Sequence, residues 1–180
     1  VNSVSESKAV TRLLTASGVL AIGLTAFINS VQYGLGPQLI LFIVFAAVFV
    51  ALANPESIAL SRQSKMLGLL ILLLLSVSIW FIAPSDINSI LTVVMMAQAP
   101  YAISKRQCWL LILVVNLAFL AVHYVYLCYE NIIFGWASMF ALQAFATTSS
   151  LARVEEASLK LQLQEQNAEL VAARSALAQK

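Results

Sequence analysis

The residues best suited to chemistry in this chain cluster in one apolar stretch, Trp109–Asn131, where Asn116, His123, Tyr126, Cys128 and Glu130 stand among aliphatic neighbours. His123 is the chain's single histidine. An imidazole with an unperturbed pKa of about 6.5 can ligate a metal or haem, or change charge near neutrality. A structural zinc centre needs several convergent ligands, and the sequence offers no HxxH, no CxxC and no paired carboxylate. Helical spacing also sets Cys128 about 140° around the axis from His123. No metal site and no catalytic set is therefore expected. Asn116, Phe119, His123 and Tyr126 recur at helical spacing and form a stripe suited to a bundle interior. Polar groups of this kind inside an apolar helix bundle make interhelical hydrogen bonds. An ionisable one raises a second reading, in which His123 senses protons or a small ligand. Gln98 and Gln143 join Asn116, His123 and Tyr126 as candidate sensing or interhelical contacts, with Asn29, Thr147 and Thr148 as further polar positions inside apolar runs.

The elements that must position these residues follow from composition. Of 180 residues, 61% are hydrophobic and 10% charged, against about 45–50% and about 25% in soluble domains. Apolar runs recur at lengths near the 20 or so residues a helix needs to cross a hydrocarbon core. We read spans at Thr11–Val31, Pro37–Ala53, Met66–Ala83, Ile87–Ile103, Cys108–Cys128 and Ile132–Ser150. Val1–Ser7 reads as a loose polar lead, and the first span lacks a processing site and is expected to be retained. Cys108 and Cys128 fall at opposite ends of one span, too far apart to pair within it.

Charge placement supports this segmentation. Lys8 and Arg12 precede the first span, Arg62 and Lys65 separate the second and third, and Lys105 and Arg106 separate the fourth and fifth. The alternate connections QYGLG, APSDIN and YEN carry no lysine or arginine. Such alternation is what the positive-inside bias produces. The expected fold class is all-α: a polytopic bundle of six spans over 1–150, with both termini cytoplasmic. Tyr33, Trp80 and Tyr129 then fall near outer ends and Trp109 near an inner one, as an aromatic belt would place them.

From Leu151 the character changes. LARVEEASLKLQLQEQNAELVAARSALAQK contains no glycine or proline and is rich in strong helix formers. Leu159, Leu163, Gln166, Leu170, Ala173 and Leu177 alternate at spacings of four and three, the seam of a parallel two-stranded coiled coil. Leu151, Val154, Ser158 and Leu161 form a second stripe out of register with it, which reads as a stutter where the bundle gives way to a stalk. Residues 151–180 are thus expected to form a cytoplasmic signalling linker that pairs with a second copy.

QNAELVAARSALAQK, following a compact multi-span unit with short loops, resembles the linker of bacterial sensor histidine kinases of the DesK-like group. The resemblance lies in architecture and linker style and brings no motif in the membrane portion. It implies a homodimeric sensor module in the bacterial inner membrane, in contact with lipid. A phosphoacceptor helix and an ATP-binding domain would lie beyond Lys180, with a response regulator as partner. The family's phosphoacceptor motif has no match here, and His123 stands inside an apolar span, so catalysis and ATP binding are not expected from these residues. No cofactor and no nucleic acid is expected for this portion. A diguanylate cyclase output, or a small transporter or channel built on discontinuous helices with converging polar groups, are the competing expectations.

Overall fold

A computed structural model describes residues 2–53, 61–126 and 132–178, with side chains for 12–53, 61–121, 135–175 and 177. The fold is all-α, with no strand among the described residues. Among the described residues six α-helices follow one another: α1 Asn2–Tyr33, α2 Pro37–Ala53, α3 Arg62–Ile82, α4 Ser89–Gln98, α5 Lys105–Tyr126 and α6 Ile132–Ala178. Each coincides with an apolar run, and local chemistry sets the boundaries. Gly34 takes φ +78°, a left-handed conformation that ends α1 at little steric cost. Pro37 opens α2 in the first turn, where its missing N–H is no loss. Ser61 caps α3, its Oγ accepting from the Ser64 N–H at 3.2 Å. At α5 the SKRQ stretch forms a reciprocal cap: the Ser104 N–H donates to Gln107 Oε1 at 2.9 Å and the Gln107 N–H donates to Ser104 Oγ at 3.5 Å.

Three expectations need correction. Helix α1 begins at Asn2, so the polar lead is helical and not loose; it holds neither the proline nor the glycine that would stop a helix. The expected fourth span, Ile87–Ile103, is not one continuous helix. Ten residues of α-helix are flanked by 3₁₀ turns at Asp86–Asn88 and Ala99–Tyr101. Pro100 has no N–H and its ring crowds the preceding turn, so the chain tightens there, with the Ala99 N–H bonding the Met96 carbonyl. At about 1.5 Å per residue α4 measures about 15 Å, half the hydrocarbon thickness. Finally, Trp80 is buried against Phe119, ring centroids 5.0 Å apart, and does not stand in an aromatic belt.

Helix α4 occupies the middle of the bundle, packed against α6, α1, α3, α2 and α5. Leu91, Met95 and Met96 are fully buried and join Phe45, Leu72 and Ile112 in the core. The bundle wears apolar residues outside as well: Leu20 and Phe27 on α1, Ile40 on α2, Leu67 and Phe81 on α3, and Leu113 and Leu117 on α5 are exposed. Two stretches, Arg12–Tyr33 and Arg62–Ile82, are long and apolar enough to cross a membrane among the described residues, and Pro37–Ala53 is a shorter apolar helix.

Helices α1 and α2 meet at Gly18, where a Cβ would run into the ring of Phe49, itself buried in the core. Gly18→Leu is expected to destabilise the bundle by about 1–3 kcal/mol through overpacking. The measurement is unfolding in lipid micelles, and Phe49→Ala should recover part of that loss if this contact is the cause.

Candidate functional site

Buried polar residues of the bundle form a ladder that crosses four helices. On α1, the Asn29 amide nitrogen donates to the Thr25 carbonyl at 2.9 Å and to Asn88 Oδ1 at 2.7 Å. Asn88 closes the 3₁₀ turn before α4, and its own amide donates to the Ala83 carbonyl at 2.6 Å, satisfying the end of α3. One turn further along, Thr92 donates to the Ser89 carbonyl at 2.6 Å and accepts from Gln143 Nε2 at 2.7 Å. Gln143, on α6, accepts at Oε1 from Asn116 Nδ2 of α5 at 2.6 Å. Asn116 also donates to the Ile112 carbonyl at 2.8 Å. Asn29, Asn88, Thr92, Asn116 and Gln143 are all buried.

Each rung follows from a helix position. Asn116 lies one turn from Ile112, so its amide reaches back to that carbonyl and still projects toward α6. Gln143, Thr147 and Ser150 recur along the buried face of α6. Two further ties hold the end of α1 to the α3–α4 connection: the Tyr33 hydroxyl donates to the Pro84 carbonyl, and Ser85 Oγ lies 3.4 Å from Gln32 Oε1.

The ladder keeps hydrogen-bonding capacity in reserve. Among the described residues Asn29 Oδ1, Asn116 Oδ1, Thr147 Oγ1 and Trp136 Nε1 are buried without a partner. An unmet buried polar group costs about 1–3 kcal/mol, so these groups favour any water, ligand or helix shift that satisfies them. Thr147 stands one turn below Gln143 on the same face, a second hydroxyl at the position where a slide of α6 would bring it to Asn116.

Of the residues the sequence singled out, the structure brings Asn116 and Gln143 together and adds Asn29 at the far end. Gln98 is half-buried at the end of α4, outside the ladder. Thr148 is exposed and bonds the Ala144 carbonyl at 2.6 Å. The side chains of His123 and Tyr126 and the whole of Cys128, Tyr129 and Glu130 lie outside the described residues. Phe119, on the same predicted stripe as His123, is buried with Asn116. Sequence reasoning missed Asn88 and Thr92. Asn88 sits in PSDIN, which reads as a turn, and a lone threonine in an apolar run carries little polar signal. No group of three or more histidines, cysteines or carboxylates suited to a metal occurs among the described residues.

At the lower end of the same helix pair, about three turns from the Asn116–Gln143 bond, Lys105 Nζ of α5 lies 3.8 Å from Glu155 Oε1 of α6. Both side chains are largely exposed, so this pair contributes little to stability. Beyond it α6 leaves the bundle. Leu159, Leu163, Leu170 and Leu177 are 58%, 58%, 61% and 73% exposed. Lys160 Nζ bonds Glu156 Oε1 at 2.6 Å and holds that carboxyl below the usual glutamate range.

Comparison with protein-family models, with curated proteins and with solved structures returns no match.

If the Gln143 amide couples α5 to α6, Asn116→Leu and Gln143→Leu will each destabilise the bundle, and the double variant will lose less than the sum. A double-mutant cycle in lipid micelles should give a coupling of about 0.6–1.7 kcal/mol; additive losses would show that the two amides do not act together.

Proposed function

We propose that this chain is the membrane sensor and transmission module of a two-component histidine kinase. In this reading six spans carry a membrane-borne or extracellular cue to a dimeric cytoplasmic output. The observation that carries the proposal is α6: 47 residues of uninterrupted helix join the buried ladder at Gln143 to the exposed leucines of the stalk. At about 1.5 Å per residue this is a rod of about 70 Å. A rotation or slide at Gln143 therefore reaches the stalk without an intervening hinge.

The six-span placement draws on the distribution of polarity. Large apolar side chains cover the outside of α1, α2, α3 and α5 while asparagine, glutamine and threonine are buried, the reverse of the usual burial preference in water. Helix α5, with 22 residues, is about 33 Å long, enough for the hydrocarbon core. A sensor needs two packings: the ladder has Gln143 opposite Asn116 and Thr92, and a one-turn slide of α6 would set Thr147 in its place. A cue shifts the balance only if it stabilises one packing over the other. Parallel pairing through Leu159, Leu163, Gln166, Leu170, Ala173 and Leu177 would deliver the shift to a kinase domain that binds ATP and passes phosphate to a response regulator. The same stalk would serve a diguanylate cyclase, since a dimeric rod specifies no chemistry.

One observation favours a second reading. Helix α4 is short, flanked by 3₁₀ turns and carries polar groups into the bundle centre, features expected of a transporter or channel. The Asn116–Gln143–Thr92 chain argues for packing over passage, because the Gln143 amide is held at both ends by neighbouring helices.

In a chain carrying Cys108→Ala and Cys128→Ala, cysteine placed at Leu163, Leu170 or Leu177 is expected to form disulfides between copies in membranes; failure at all three positions would remove the parallel dimer. In vesicles with ATP, the intact protein should acquire phosphohistidine, at a level that Gln143→Leu changes severalfold. Cyclic dinucleotide formation from GTP would assign the output to a cyclase, and solute flux without phosphorylation would favour the transporter.

A further inference from the structure

The flanks of the stalk seam carry a charge pattern that selects an occupant for it. With Leu163, Leu170 and Leu177 at a positions and Leu159, Gln166 and Ala173 at d positions, the g positions are Glu155, Gln162 and Glu169. The e positions are Lys160, Asn167 and Arg174. One edge is acidic or amide throughout, and the other is basic or amide. In a parallel pair each g residue meets the e residue five places on in the other helix, while in an antiparallel pair g meets g and e meets e. Parallel pairing thus matches Glu155 with lysine, Gln162 with asparagine and Glu169 with arginine. Antiparallel pairing sets like charges together on both edges.

Geometry leaves room for this occupant. At about 100° per residue the seam lies about 150° around α6 from the inward face of Gln143, Thr147 and Ser150, so it points away from the chain's own bundle. The same side continues up the bundle as Ala141, Phe145, Thr148 and Ala152, all exposed. Neither Glu169 nor Arg174 has an ion-pair partner among the described residues. Glu156 occupies the next a position upstream, where a carboxylate bonded to Lys160 cannot enter an apolar seam. The seam therefore starts at Leu159.

We propose that in the parallel, in-register pair of stalks Glu155 of each copy exchanges Lys105 of its own bundle for Lys160 of the second copy. The inference rests on the parallel dimeric reading of the stalk and adds its link to the bundle. Glu155 stands on the edge of the seam nearest the bundle and already lies 3.8 Å from Lys105. It serves the bundle in one state and the dimer in the other, so zipping of the stalk and the hold of α5 on α6 compete for one carboxylate.

The test uses the cysteine-replaced chain in membranes, with disulfide yield at Leu163→Cys as the readout. Glu169→Arg and Arg174→Glu should each lower the yield about two- to fivefold, the range of exposed ion pairs, and the two together should restore it. Lys105→Ala should raise the yield by a similar factor, and this rise should vanish when Glu155→Gln is also present. No restoration by the double swap, or disulfides joining Leu163→Cys to Leu177→Cys when the two variants are mixed, would overturn the parallel register. An unchanged yield in Lys105→Ala would overturn the exchange at Glu155. No disulfide in any variant would instead defeat the dimeric stalk itself, an outcome distinct from the other two.

Discussion

The Gln143 side chain uses both ends of one amide at once, and the arrangement of the bundle depends on that. Its nitrogen donates to Thr92 and its oxygen accepts from Asn116, so one group on α6 fixes where α4 and α5 must lie. Buried amides make such demands because no water competes for their hydrogen bonds, and an unmet donor or acceptor is costly. The packing of α4 between the longer helices satisfies it. Asn88 extends the same logic toward α1, since its oxygen serves Asn29 while its nitrogen closes the end of α3.

Around this ladder the apolar contacts are less particular. Phe45, Leu72, Leu91, Met95 and Ile112 fill the interior, and unbranched methionine tolerates small shifts of its neighbours. In a lipid surrounding, the outward leucines and phenylalanines gain nothing by moving inward, so helix association rests on close packing and on the buried hydrogen bonds. Gly18 permits one such close approach, bringing α1 against Phe49. The Trp80–Phe119 contact ties α3 to α5 in the same way.

In the proposed function, transmission would follow from stiffness. After Gly135, α6 contains no glycine or proline, the residues that most readily break or kink a helix. The amide at Gln143 and the carboxylate at Glu155 lie on one rod, about three turns apart. The upper tie is buried and the lower one exposed, so the upper one holds the helix the more firmly. Among the described residues the oxygens of Asn29, Asn116 and Thr147 have no partner, which leaves the ladder incompletely satisfied.

Residue type and period determined the six helical segments, the all-α class and the leucine seam, because apolar run length and 3.6-residue periodicity are local properties. Proline at 37, glycine at 34 and the alternate loops without lysine or arginine could be read the same way, one residue at a time. The partners of Asn116 and Gln143 could not: a polar residue in an apolar run announces that it needs a hydrogen bond, while the helix that supplies it is chosen only when all the helices pack. Asn88 and Thr92 stayed hidden for that reason, the first inside an apparent turn and the second too weakly polar to stand out. The 3₁₀ turn at Ala99–Tyr101 follows from Pro100, whereas the partner of the Asp86–Asn88 turn and the burial of Trp80 were tertiary decisions. Each of these two depends on a neighbour far away in the chain, Asn29 of α1 for the turn and Phe119 for the indole.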